Sequence, residues 1–221
     1  MAGQLPPTVA MEPLLTVLPP GTELWRCHEH RYEAGAFNPN VAHEFFKGSR
    51  FDPTGKDPYP YLYAALDPVT ALSEVLLRSV EFGVGGVRQI PWAQASRYTL
   101  STVRTTAELC LVDLTTAEGL AAVWQDHWLI DTEEYAGTRY WVRIIRERCP
   151  RAQGLWWTSK RCRPRPALQL FGDRCPPVPL APGTREGLRL GSAEDARAVN
   201  RLLAPLHAVI SVPEVRDGPG G

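Results

Sequence analysis

Asp67 and Pro68 fix a corner that the rest of the chain must be built around. Before them, "YLYAAL" (Tyr61 to Leu66) is a short, almost continuous apolar run, the pattern of a strand covered on both faces. After them, "VTALSEVLLRSV" places Leu72, Val75, Leu76 and Val80 on one broad apolar face, which is helical periodicity. An aspartate side chain accepts from the free N–H groups of a first helical turn, and a proline just inside the start has its φ already set for a helix. The residues therefore predict a buried strand running straight into a capped helix that carries a lone carboxylate, Glu74.

Further strands are predicted from "TELWRCHEH", with Leu24 and Arg26 on one face and Trp25 and Cys27 on the other, and from "RYTLSTV", "LCLVDL", "GLWWTS" and "ALQLF". "EEYAGTRYWVRIIRER" reads as a helix with Tyr140, Ile144 and Ile145 inward. These elements do not alternate regularly enough for a doubly wound parallel sheet. The expected class is α/β of the α+β kind, built on a mixed or antiparallel sheet.

A chain of 221 residues can bury one full core. Residues 1–21, broken by Pro6, Pro7, Pro13, Pro19 and Pro20, read as a proline-rich lead-in. Residues 22–175 read as the domain. Residues 176–221 read as a "PPVPLAPGT" linker, a last helix opened by a capping box from Ser192 to Asp195 and disturbed at Pro205, and a tail.

Lys+Arg and Asp+Glu are equal at 24 each, so the chain lacks the electrostatic footprint of a direct nucleic-acid binder, although a local arginine cluster can still hold a small anion. There is no basic start with an apolar run behind it and no membrane-length apolar segment, which makes an unprocessed cytoplasmic protein the expectation. The five cysteines, Cys27, Cys110, Cys149, Cys162 and Cys175, form no C-x-x-C pair and read as free thiols.

Several motifs reduce to plain structure. "GVGGVR" misses the spacing of both phosphate-binding glycine loops. His28 and His30 share a strand face but have no third ligand nearby, so they read as surface histidines and no metal is expected. "WTSK" around Ser159 lacks the G-x-S-x-G elbow of α/β-hydrolases. Two readings stay open for Glu74: a helix-surface pair with Arg78 at i,i+4, contributing ~0.3–0.5 kcal/mol, or a carboxylate held on a rigid helix beside a pocket. Arg50, likewise, is either a solvated loop residue or a fork gripping phosphate.

Four blocks, in order, carry a resemblance: Arg26 in "LWRC", then "GSRFDP", then "YLYAALDPVTALSE", then "GLWWTSKRCRPRPALQLFGDR". Together they resemble the RES domain over about residues 24–175. Arg26 and Arg50 match its two arginines, Tyr63 its tyrosine, Glu74 its glutamate and Ser159 its serine. Around the second arginine this chain reads Gly48-Ser49-Arg50-Phe51-Asp52, where many members carry a double glycine before it and an asparagine two residues after.

The resemblance implies a fold similar to ADP-ribosyltransferases and a toxin of a toxin–antitoxin pair that breaks the nicotinamide–ribose bond of NAD. Phosphorolysis to nicotinamide and ADP-ribose 1''-phosphate is the first expectation. A protein mono-ADP-ribosyltransferase, or a non-catalytic module binding a nucleotide or an antitoxin, are the alternatives. NAD and inorganic phosphate are then substrates, no cofactor is needed, and the partner is an Xre-type antitoxin that carries any DNA binding itself. Under this reading Arg26 and Arg50 hold the pyrophosphate and Tyr63 the nicotinamide ring. Glu74 favours positive charge on the departing ribose, and Ser159 orients Glu74 or a substrate hydroxyl.

Overall fold

A computed structural model describes residues 5–213; the start of the proline-rich lead-in and the end of the C-terminal tail lie outside them. The chain enters through β1 (Leu15–Leu18), β2 (Glu23–Glu29) and β3 (Tyr61–Ala65), turns into α1 (Pro68–Leu76), and passes β4 (Arg88–Ile90) and α2 (Trp92–Ala95). The hairpin β5 (Tyr98–Thr105) and β6 (Leu109–Leu114) follows, then α3 (Ala117–Ala122), α4 (Trp128–Asp131) and α5 (Tyr135–Arg148). Strands β7 (Gly154–Thr158) and β8 (Pro166–Phe171) lead to β9 (Leu180–Pro182), β10 (Leu188–Arg189), α6 (Ala193–Leu203) and β11 (Ala208–Ile210).

Nine strands form one sheet in the order β1-β6-β7-β8-β3-β2-β5-β10, with β9 also pairing to β5. Only β6 and β7 run parallel in it; the other pairs are antiparallel. The mixed, mainly antiparallel core expected from the sequence is present. Period-two alternation sorts the side chains onto two faces. Val112, Leu114, Leu155, Trp157 and Phe171 pack beneath α3, α4 and α5 with Trp141 and Ile145, whereas Leu62, Leu111, Leu168 and Leu170 face the other way with Leu24 and Val103. At the far end Leu72 and Leu76 of α1 meet Val199 and Leu203 of α6 over Leu100.

The predicted corner forms as its residues demand. Asp67 accepts from the Thr70 N–H at 3.0 Å, Pro68 opens α1, and β3 is buried along its length apart from half-buried Tyr63. Three details differ from expectation. Helix α1 ends at Leu76, so Val80 lies beyond it; there the Arg78 carbonyl accepts from Arg161 Nη2 at 2.6 Å instead of a later turn of helix. Within the lead-in, "LTVL" between Pro13 and Pro19 is β1, registered against Leu109–Val112, because an edge strand needs only one row of partners and tolerates flanking prolines. For the same reason the "PPVPLAPGT" stretch is no free linker: Leu180–Pro182 pairs with Val103–Thr105 at the sheet edge.

One irregularity in this sheet positions everything that follows. Strands β2 and β3 share a single registered pair, Trp25 with Ala65, while β2 is paired along its whole length to β5 and β3 to β8. Away from that pair the two strands part.

Candidate active site

A cavity of about 510 Å³ opens where β2 and β3 separate, lined by Arg26 to Glu29 on one side and by Tyr61, Tyr63 and Ala64 on the other. Helix α1 contributes Ala71, Glu74 and Val75, and the loops around Arg50 and Arg161 close the remaining wall. Although the chain is neutral overall, this wall is not. Six cationic side chains line it, Arg26, Arg31, Arg50, Arg78, Lys160 and Arg161, against three carboxylates, Glu29, Glu74 and Glu133. Such a surplus in a concave, partly desolvated site concentrates anions.

Glu74 is oriented across the fold by the last β7 loop. Ser159, fully buried, donates its hydroxyl to Glu74 Oε1 at 2.5 Å and itself accepts from the N–H groups of Cys162 at 3.1 Å and Arg161 at 3.3 Å. Burial pushes the Glu74 carboxyl above its ordinary range, while the Ser159 hydrogen bond and the nearby Arg50, Arg161 and Arg78 pull it back toward ionisation. The surface pairing of Glu74 with Arg78 does not form. Arg78, beyond the end of α1, donates to Ser49 Oγ at 2.7 Å and to the Gly48 carbonyl.

The arginine loop is braced from four directions. Asp52 accepts from the Ser49 N–H at 2.6 Å and from the Tyr63 hydroxyl at 3.0 Å, and that hydroxyl accepts from the Phe51 N–H at 3.2 Å. The Phe51 carbonyl takes hydrogen bonds from Gln169 Nε2 at 2.9 Å and the Tyr59 hydroxyl at 3.1 Å. From α5, buried Arg139 donates to the carbonyls of Ser49 at 3.0 Å, His43 at 2.5 Å and Lys47. Asp52, at the position of the expected asparagine, thus ties the loop through acceptor oxygens alone. Burial raises its carboxyl above the ordinary range, opposed by these same donors. Arg50, held by this frame, donates through Nη1 to the Thr132 carbonyl at 2.6 Å, and its guanidinium lies 5.5 Å from the Tyr135 ring centre.

The structure brings all five sequence-predicted residues to one place: Arg26, Arg50, Tyr63 and Glu74 line the cavity, and Ser159 sits behind Glu74. Two of them are more committed than the sequence implied. Arg26 Nη1 gathers the carbonyls of Ala34 at 2.6 Å, Ala36 at 2.7 Å and Glu33 at 3.4 Å, so only its other N–H groups are left for a ligand. Tyr63 spends its hydroxyl on the loop, and what it offers a ligand is its ring. Sequence reasoning missed Arg139, Tyr135 and Asp52 as framing residues. A signal existed for Arg139: the buried face of α5 passes from Val142 and Ile145 through Arg139 and Arg146, and arginine on an apolar face asks for a buried partner.

His28 corrects the surface reading of the histidine pair. It is buried, with Nδ1 3.1 Å from its neighbour's carbonyl at Glu29 and Nε2 3.0 Å from Ser101 Oγ, while His30 is exposed. Among the described residues no group of three or more His, Cys, Asp or Glu side chains could hold a metal ion. No helix among them is long and apolar enough to cross a membrane. The five cysteines are free thiols.

The family model for the RES domain matches residues 23–191. The chain belongs to the RES domain family. No curated protein matches it. Among solved structures, a chain from the crystal structure of the M. tuberculosis MbcT–MbcA toxin–antitoxin complex aligns at TM-score 0.55 and 17% identity, covering 77% of this chain and 85% of that one. That likeness is one of fold. The RES match encloses every residue of the cavity wall named above and extends past Cys175 to Gly191, so that it includes β9 and β10.

Proposed function

We propose that this RES domain is the toxin of a toxin–antitoxin pair and cleaves the nicotinamide–ribose bond of NAD, with inorganic phosphate as the acceptor. The observation that carries the reading is Glu74, fixed by Ser159 at 2.5 Å on the wall of a cavity whose charge is otherwise cationic. The nicotinamide of NAD is a pyridinium, so the breaking C1'–N bond delivers its electron pair to the ring nitrogen and releases a neutral amide. No acid is needed at the leaving group. A phosphate oxygen supplies the pair for the new C1'–O bond, and the proton that the phosphate carried stays on the product or passes to solvent.

What remains for the protein is to stabilise an oxocarbenium-like ribose and to hold the two anions near it. An ionised Glu74 does the first by its charge and by accepting from ribose hydroxyls. For the second, Arg50, Arg26 and Arg78 are placed to hold the pyrophosphate, because the planar guanidinium matches phosphate oxygens in pairs. The ring of Tyr63 borders the nicotinamide. Membership of the RES family supports the NAD chemistry, and the fold shared with a chain of a toxin–antitoxin complex supports an antitoxin partner that covers the cavity.

Incubation of the pure chain with NAD, followed by phosphorus NMR, tests this. Cleavage is expected to rise and saturate with phosphate, giving a product phosphorylated at the ribose anomeric carbon. Free ADP-ribose at a rate indifferent to phosphate would reassign the chain as a hydrolase. ADP-ribose recovered on protein would make it a mono-ADP-ribosyltransferase, and intact NAD would leave a binding module.

A further inference from the structure

Glu133 lies at the rim of this cavity between two cations. A single oxygen, Oε1, accepts from Lys160 Nζ at 3.1 Å and from Arg161 Nη2 at 3.2 Å, and the Glu133 side chain is 65% exposed. These two cations hold the Glu133 carboxyl below the usual range, the Lys160 hydrogen bond and charge first and the charge of Arg161 after them. Arg50 is anchored one residue earlier, through Nη1 to the Thr132 carbonyl.

This arrangement does little for the fold. Exposed ion pairs contribute little to stability, and among the described residues neither Lys160 Nζ nor the Glu133 carboxylate has another polar partner. It is, however, placed for chemistry. Lys160 and Arg161 immediately follow Ser159, the residue that orients Glu74, and both line the same cavity as Glu74. Arg161 is also preset, since its Nη2 donates to the Arg78 carbonyl at 2.6 Å.

We propose that Lys160 and Arg161 form the site of the acceptor phosphate, and that Glu133 is a resident anion which the phosphate displaces. The assignment rests on the NAD-cleaving reading above and names its second substrate site. A phosphate dianion brings more charge than a carboxylate and enough oxygens to meet a lysine and a guanidinium fork together, where Glu133 offers both the same oxygen. Displacement moves only one exposed side chain. The bound phosphate is then the nucleophile of the balanced step already given, and no further reactant is required.

The pyrophosphate of NAD shares this chemistry, so the test must separate the two anions. Titration calorimetry of inorganic phosphate into the full chain without NAD reads the site directly, and KM values for phosphate and for NAD are read separately. Lys160→Ala is expected to weaken phosphate binding and raise its KM about tenfold, the scale of one lost charge-assisted contact, with the KM for NAD unchanged. Glu133→Gln removes the competing charge and is expected to tighten phosphate binding severalfold. Phosphate binding that is unchanged or weaker in Glu133→Gln overturns the proposal. So does a Lys160→Ala effect that falls on the KM for NAD, which would give the cluster to the pyrophosphate. The calorimetry does not depend on turnover, so an inactive chain that binds phosphate in this pattern refutes the reaction and leaves the anion site standing.

Discussion

Ser159 shows how much one hydroxyl decides. Its donation to Glu74 at 2.5 Å favours the ionised carboxylate that burial disfavours, and it fixes which way that carboxylate faces. Ser159→Ala removes both effects with little change in volume, and it also takes the acceptor from the Cys162 and Arg161 N–H groups. Because the hydroxyl holds the Glu74 carboxyl down, its loss moves that carboxyl further up. With the Glu74 carboxyl raised by burial, the acidic limb of the pH–rate profile is expected above the ordinary carboxylate range in the native chain and at still higher pH in Ser159→Ala. Turnover at neutral pH should fall roughly ten- to a hundredfold, the scale of a hydrogen bond to a charged group, and Ser159→Thr should restore part of it. A rate drop without movement of the acidic limb would show that Ser159 acts on something other than Glu74. The five polar residues themselves were legible in the sequence through motif order. Their partners were not, because the i,i+4 rule that couples Glu74 to Arg78 assumes that the helix continues, and α1 stops one residue before Leu77.

The elements were legible where periodicity is strong, as in β3, α1, β5 to β8 and α5, and were missed where the chain is short and proline-rich, as in β1 and β9. The arginine loop is the instructive case. Its turn residues announce a loop, but the braces that shape it come from Arg139, some 90 residues away, and no local signal links the two. Gly48 records that shape: its φ is +75°, and a Cβ there would stand 2.7 Å from Arg139 Nη2, 2.7 Å from Ala42 Cβ and 2.9 Å from Asp52 Oδ2. Gly48→Ala meets left-handed backbone strain of about 1–2 kcal/mol and displaces the Arg139 brace as well. Denaturant unfolding should show a loss of at least that size, with an accompanying rise in the KM for NAD as Arg50 loses its frame. Unchanged stability would mean that the loop is not held in this conformation by Arg139 and Asp52.

At the scale of the whole molecule, the decisive feature is a sheet that divides. A sequence read strand by strand supplies the parts of a mixed sheet but not their order, and the cavity exists only because β2 and β3 pair at one end and part at the other. The neutral overall charge conceals the same thing, since the cationic surplus is concentrated on the walls of that division. The proposed NAD cleavage requires Glu74 to act by its charge, and Glu74→Gln deletes the charge while keeping the size. Nicotinamide release by the purified Glu74→Gln chain, measured beside its affinity for NAD and its unfolding curve, is the most direct test. The expected result is a folded protein that still binds NAD and turns it over roughly 10²–10³ more slowly, the scale of one lost preorganised electrostatic contact. A folded Glu74→Gln protein with near wild-type turnover would contradict it.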